Sequence, residues 1–125
     1  MTSSDPRARD RRLAGRATVA LVLLIAGLTL YPIQTPGSVP GTDKLHHLVA
    51  FAALALPLSW AWPRHALLVI VAAALYGGVI ELVQPHVGRF GELSDWYADS
   101  IGAALGGALG AMLGAWRGRR LTREA

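Results

Sequence analysis

The chain has 125 residues, 53% of them apolar and only 16% charged. A soluble domain averages about 25% charged residues, so a single water-facing shell is hard to complete here. The absence of cysteine excludes disulfides, thiolate metal sites and a cysteine nucleophile. The net charge of +4 comes from arginines clustered at the two chain ends with no nucleic-acid-binding motif beside them; this excludes nucleic acid as a partner and points to anionic lipid headgroups and topology signals instead.

Residues 1–16 are rich in Arg, Asp and Ser without apolar periodicity, which predicts a disordered basic cytoplasmic tail. A first apolar block runs over residues 17–33. A basic start before an apolar core also fits a cleaved signal peptide, but turn-forming residues follow rather than a small-x-small site, so a retained helix is predicted. The second block covers residues 45–62, with Pro57 predicting a kink in its later half. The third covers 66–83 and is stopped by Pro85. The fourth covers 96–116, and a second basic tail fills 117–125. Each block approaches the roughly 20 residues that cross a bilayer core about 30 Å thick.

The expectation is an all-α membrane protein: a bundle of four transmembrane helices with both termini cytoplasmic. Tyr31, Trp60, Trp62, Trp96, Tyr97 and Trp116 lie at block ends, where amphipathic rings mark the interface. Ten of the twelve Lys and Arg residues fall in the tails and the turn between the second and third blocks, and the other two loops hold only Lys44 and Arg89. The positive-inside rule therefore puts those two loops outside the cytoplasm.

Polar residues converge on the outer end. Asp43, Lys44 and His47 open the second block, Glu81 and Gln84 close the third, Arg89 sits in the loop, and Asp95 and Asp99 open the fourth. Asp43 and His47 share a helical face, as do Asp95 and Asp99. In hydrocarbon each ionisable group costs from about 2.5 to more than 10 kcal/mol, so these side chains must face protein or water. Asp99, Gly102, Gly106 and Gly110 form one stripe, and small residues at that spacing let helix backbones approach closely. Gly77 supplies a small-residue face beside Glu81. The stripe predicts a helix-packing surface, with self-association through the glycine face as one use of it.

Glu81 lies near a helix C-terminus, where a negative charge is disfavoured, so it requires a partner, a proton or a cation. Arg89 is the expected bridge, since its planar fork holds carboxylate or phosphate. No tight metal-ligand motif is present, so no metal and no cofactor is expected. Ser94 reads as a helix cap rather than a nucleophile. No catalytic residue is assigned.

These residues resemble the VanZ-like family of small bacterial membrane proteins. The resemblance is carried by Asp43-Lys44-x-x-His47 with Phe51, then Tyr76-Gly77-x-x-x-Glu81-x-x-Gln84, Gly88-Arg89 and Asp95-x-x-Ala98-Asp99-x-x-Gly102. It departs at Asp99, where that pattern commonly has Asn, and at Leu48, where Phe is usual. The resemblance implies a multi-helix protein of the bacterial plasma membrane, in a family named for a protein associated with low-level resistance to the glycopeptide teicoplanin. Three uses of the polar end follow. It could bind a lipid-linked or amphiphilic envelope molecule, form a small proton- or cation-coupled transporter, or act only as a structural lock between helices.

Overall fold

The computed structural model describes residues 5–31 and 42–125, and it is entirely helical among them. The first four residues, the end of the first expected span at Pro32–Ile33 and the turn-rich segment after it lie outside the described residues.

Helix α1 spans Pro6–Leu30. It starts well before the expected position at Ala17, which corrects the reading of residues 6–16 as disordered. The cause is local. Asp5 accepts a hydrogen bond from the Arg7 backbone N–H at 3.0 Å, and Pro6 occupies the first helical position, where its missing N–H removes nothing. Arginine is itself a good helix former.

Helix α2 spans Thr42–Ala61 and runs through Pro57 without ending there. A short 3-10 turn, Pro63–His65, leads into helix α3 at Ala66–Val83, matching the expected bounds. A second 3-10 turn, Gln84–Val87, ends at Gly88, whose φ of 77° suits a residue without a side chain. Helix α4 spans Leu93–Arg123 and carries the last span on into the basic tail.

Among the described residues three segments are long and apolar enough to cross a membrane: α1, the run from Pro63 to Val87 that contains α3, and α4. Leu23, Leu28, Leu67, Leu68, Leu75 and Leu105 are exposed on the bundle, and an apolar surface of this kind belongs in lipid. Helix α2 differs because its first turns carry Asp43, Lys44, His46 and His47. It is also the central element, packing against each of the other three.

The closest packing joins α2 to α4, and the glycine stripe is the reason. A Cβ placed on Gly102, Gly106, Gly110 or Gly114 would collide with the backbone carbonyl oxygen of Leu48, Ala52, Leu56 or Trp60 respectively. Both series advance by four residues in the same direction, so α2 and α4 lie parallel, backbone on backbone. Within the chain, α2 covers this glycine face. Phe51, Leu54, Ala55, Ala73 and Ala103 fill the space between the helices with an apolar layer.

Candidate functional site

The α2–α4 register brings together side chains that the sequence placed on separate helices. Gly102 packs on the Leu48 backbone, and within one turn of that contact His47 Nδ1 lies 2.8 Å from Asp99 Oδ1. Asp99 is wholly buried and His47 is 8% exposed. One more turn toward the loop, Asp95 is buried as well, with its Oδ2 4.0 Å from His47 Nε2. With Asp99 ionised as a carboxylate, which only accepts, His47 Nδ1 is the donor of this contact.

Helix α3 closes the site from its other side. Gly77 lets the Asp99 carboxyl approach: a Cβ there would stand 2.7 Å from Asp99 Oδ2 and 3.1 Å from the Phe51 ring. One turn on, Glu81 Oε2 accepts the backbone N–H of Glu92 at 2.8 Å. That bond answers part of the expected need, because the α3 carboxylate holds the residue that caps α4. The Trp96 indole N–H donates to the Ala74 carbonyl at 2.9 Å and pins α4 to α3 in this register.

Four acceptor atoms here are buried and make no hydrogen bond among the described residues: Glu81 Oε1, Gln84 Oε1, Asp95 Oδ1 and Asp99 Oδ2. Two groups of potential ligands converge on the same imidazole. Asp43, His47 and Asp95 each offer an atom within 4.8 Å of the others, as do His47, Glu81 and Asp99.

The remaining expected residues stand at the rim or turn elsewhere. Lys44 reaches Glu92 across 3.6 Å at an exposed position. Arg89 donates to the Tyr31 carbonyl at 3.0 Å, and Gln84 donates to the Thr29 carbonyl at 3.2 Å, so both tie the loop after α3 to the end of α1. His46 is exposed, and exposed His86 lies 3.0 Å from the Leu82 carbonyl. His47 is thus the histidine that enters the cluster. Ser94 does not cap α4 as expected: Glu92 holds the cap position and Ser94, inside the first turn, donates to Glu92 Oε2 at 3.2 Å.

The opposite end was read as tails and carries more structure than that. Arg11, Arg117 and Arg120 lie over the rings of Trp62, Trp60 and Trp116, with the guanidinium carbons 5.5, 5.4 and 4.0 Å from the ring centroids. Arg117 also pairs with buried Asp10, bridging α4 to α1. A cavity of about 700 Å³ opens among Arg7, Arg11, Trp60, Arg64, Arg117 and Arg119. The Asp5–Pro6 helix start and the Trp60/Trp62 pair were the signals available in the sequence for this end.

The family model described as VanZ/LLP1 matches residues 14–114. The chain belongs to the VanZ/LLP1 family, in a membrane-protein form whose polar side chains gather at one end. No curated protein and no solved structure matches it.

Proposed function

We propose that the chain is a four-pass protein of the bacterial plasma membrane, with both termini in the cytoplasm, whose outer-end polar cluster binds a lipid-linked or amphiphilic molecule of the cell envelope. The observation that carries this reading is the burial of Asp99, Asp95 and His47 against half-buried Glu81, with acceptor atoms left over, at the end that holds Lys44 and Arg89. A lock between helices needs paired groups; unfilled buried acceptors suit a ligand. At 20 residues α2 is about 30 Å long, enough for a fourth span once its polar first turns sit at the headgroups. The arginines at the other end support the orientation.

The ligand's apolar tail would lie along the exposed leucines, and its head would meet the rim at Lys44 and Arg89. Mass spectrometry of lipids co-purified with the wild-type protein and with Arg89→Ala tests this. An envelope amphiphile enriched with the wild type and depleted in the variant is expected; the same lipid profile from both, with the bundle intact, removes the reading. A role in glycopeptide susceptibility is its narrower form, checked by teicoplanin susceptibility of a host with and without the chain.

The structural-lock reading is favoured by one observation, the 2.8 Å contact of His47 with Asp99. Glu81→Gln combined with Asp99→Asn separates the two. Lost ligand enrichment in a folded protein supports ligand binding at the cluster, and an effect on thermal stability alone supports the lock. Transport gains no support, because the apolar layer around Phe51, Leu54 and Ala103 lies beneath the polar groups.

A further inference from the structure

The cluster carries more negative charge than its neighbours balance. Asp43, Glu81, Asp95 and Asp99 surround a single imidazole, and Lys44 is drawn off toward Glu92. Separately, Asp95, 4% exposed, leaves Oδ1 without a partner among the described residues, and wholly buried Asp99 leaves Oδ2 so. Buried carboxylate oxygens in that condition are destabilising until something positive or donating fills the space.

The orientation of His47 says which side is to be filled. Its Nδ1–H is held by Asp99 Oδ1 at 2.8 Å, so in the neutral ring Nε2 carries the free lone pair. A carboxylate that takes one ring N–H and leaves the other nitrogen to a cation is the usual support of a metal-binding histidine. Nε2 faces Asp95 Oδ2 at 4.0 Å, too long for a hydrogen bond. With metal–ligand lengths of about 2.0–2.2 Å, two ligands of one ion stand at most about 4.4 Å apart. The atoms offered by Asp43, His47 and Asp95, all within 4.8 Å of one another, need only a small closure to share an ion. Asp43, at the exposed start of α2, gives that ion a way in.

We propose that Asp43, His47 through Nε2, and Asp95 bind one divalent transition-metal ion, with Asp99 as the positioning residue that fixes the imidazole. One imidazole with two carboxylates suits zinc or manganese better than calcium or magnesium, which prefer oxygen alone. Three protein ligands leave further positions to water or to an oxyanion, so the ion would also reconcile an acidic cluster with an anionic headgroup. Ion binding does not rest on the ligand reading above, whereas that use of the ion does.

The test is uptake of zinc and of manganese by chelator-treated full-length protein in detergent, read by calorimetry and elemental analysis. One ion per chain is expected. His47→Ala and Asp95→Asn should abolish binding, and Asp99→Asn should weaken it by about 10–100-fold. Glu124→Gln, at the far end of α4, should change nothing. Thermal unfolding of each variant separates loss of the site from loss of the fold. If His47→Ala does not fold, near-isosteric Asp95→Asn and the visible absorption of cobalt-loaded wild type decide. Cobalt bands that change in Asp99→Asn support a histidine-held ion. No uptake by folded wild type, or equal uptake by Asp95→Asn, overturns the proposal. Ion uptake without a co-purified amphiphile keeps the metal site and removes the envelope-ligand reading; a ligand enriched on ion-free protein that takes up no ion does the reverse.

Discussion

The two ends of this bundle both depend on charge, in opposite ways. At the loop end His47, Asp95 and Asp99 are buried where α2 and α4 meet, beside Glu81 of α3. At the end where α1 starts and α4 finishes, arginines lie across tryptophan rings at the surface, and among the described residues Asp10 with Arg117 is the pair that reaches inward. A buried charge is expensive to strand and specific about its neighbour. An exposed guanidinium over a ring is tolerant, replaceable and free to meet a phosphate. The loop end is therefore held to one arrangement, while the terminal end tolerates change; on the function proposed above, that tolerance suits a surface of mixed lipids.

The largest expected effect tests that contrast at its most buried point. Asp99→Leu removes the acceptor of the His47 ring and leaves the imidazole facing apolar neighbours. A loss of about 3–5 kcal/mol is expected, as for breaking a buried pair from one side, measured by reversible unfolding in detergent without added metal. Asp99→Asn, which keeps an oxygen acceptor, should recover most of it. Equal effects from the two would mean that shape, and not the hydrogen bond, holds the site.

Gly106→Leu comes next. Its added carbons meet the carbonyl of Ala52, backbone that cannot rotate away. Overpacking of this kind costs about 1–3 kcal/mol, more where a helix must move. Because the ladder runs the length of the α2–α4 seam, both ends should loosen together, read as faster hydrogen exchange near His47 and near Trp60. Exchange that rises at one end alone would show the ends to be independent.

Much of this arrangement was legible in the sequence, and the limits have physical causes. Residues 66–83 read directly as a helix, since apolar residues fill the interval between Pro63 and Pro85. Asp43 with His47, and Asp95 with Asp99, could be put on common faces because helical period is a local property. What joined those faces was not local. Nothing within four residues of His47 says that residue 99 lies opposite; the glycine ladder announced a close helix partner without saying which helix, or whether it belonged to the same chain. Gln84 was expected to share a face with Glu81 and Arg89 to bridge the carboxylates; Gln84 Nε2 donates to the Thr29 carbonyl and Arg89 to the Tyr31 carbonyl, contacts no local pattern announces, because the end of α1 stands beside that loop. The early start of α1 was missed for a different reason: arginines lower hydropathy without lowering helix propensity, and Asp5–Pro6 was the quieter signal.

Trp96→Phe probes the loop end with a smaller change. It keeps the ring and deletes the indole N–H that reaches the Ala74 carbonyl at 2.9 Å. A loss of about 1 kcal/mol is expected, the net worth of one hydrogen bond, with metal uptake unchanged because the ligand-bearing α2–α4 register does not depend on it.

The smallest effect is expected at the terminal end, and its dependence on surroundings is what makes it diagnostic. Arg120 lies over Trp116, whose ring is half exposed, and such exposed contacts contribute about 0.5–1 kcal/mol. In neutral detergent Arg120→Ala should thus lower stability only slightly. In vesicles rich in anionic lipid, wild type gains from each arginine near the surface by about 1 kcal/mol, so the gap between wild type and variant should widen, and added salt should narrow it again. Asp99→Leu should show neither response, since its surroundings are protein in every lipid. If Arg120→Ala were equally mild in neutral and anionic bilayers, the arginine–tryptophan end would be holding helices together as the loop end does, and the division of labour between the two ends would fail.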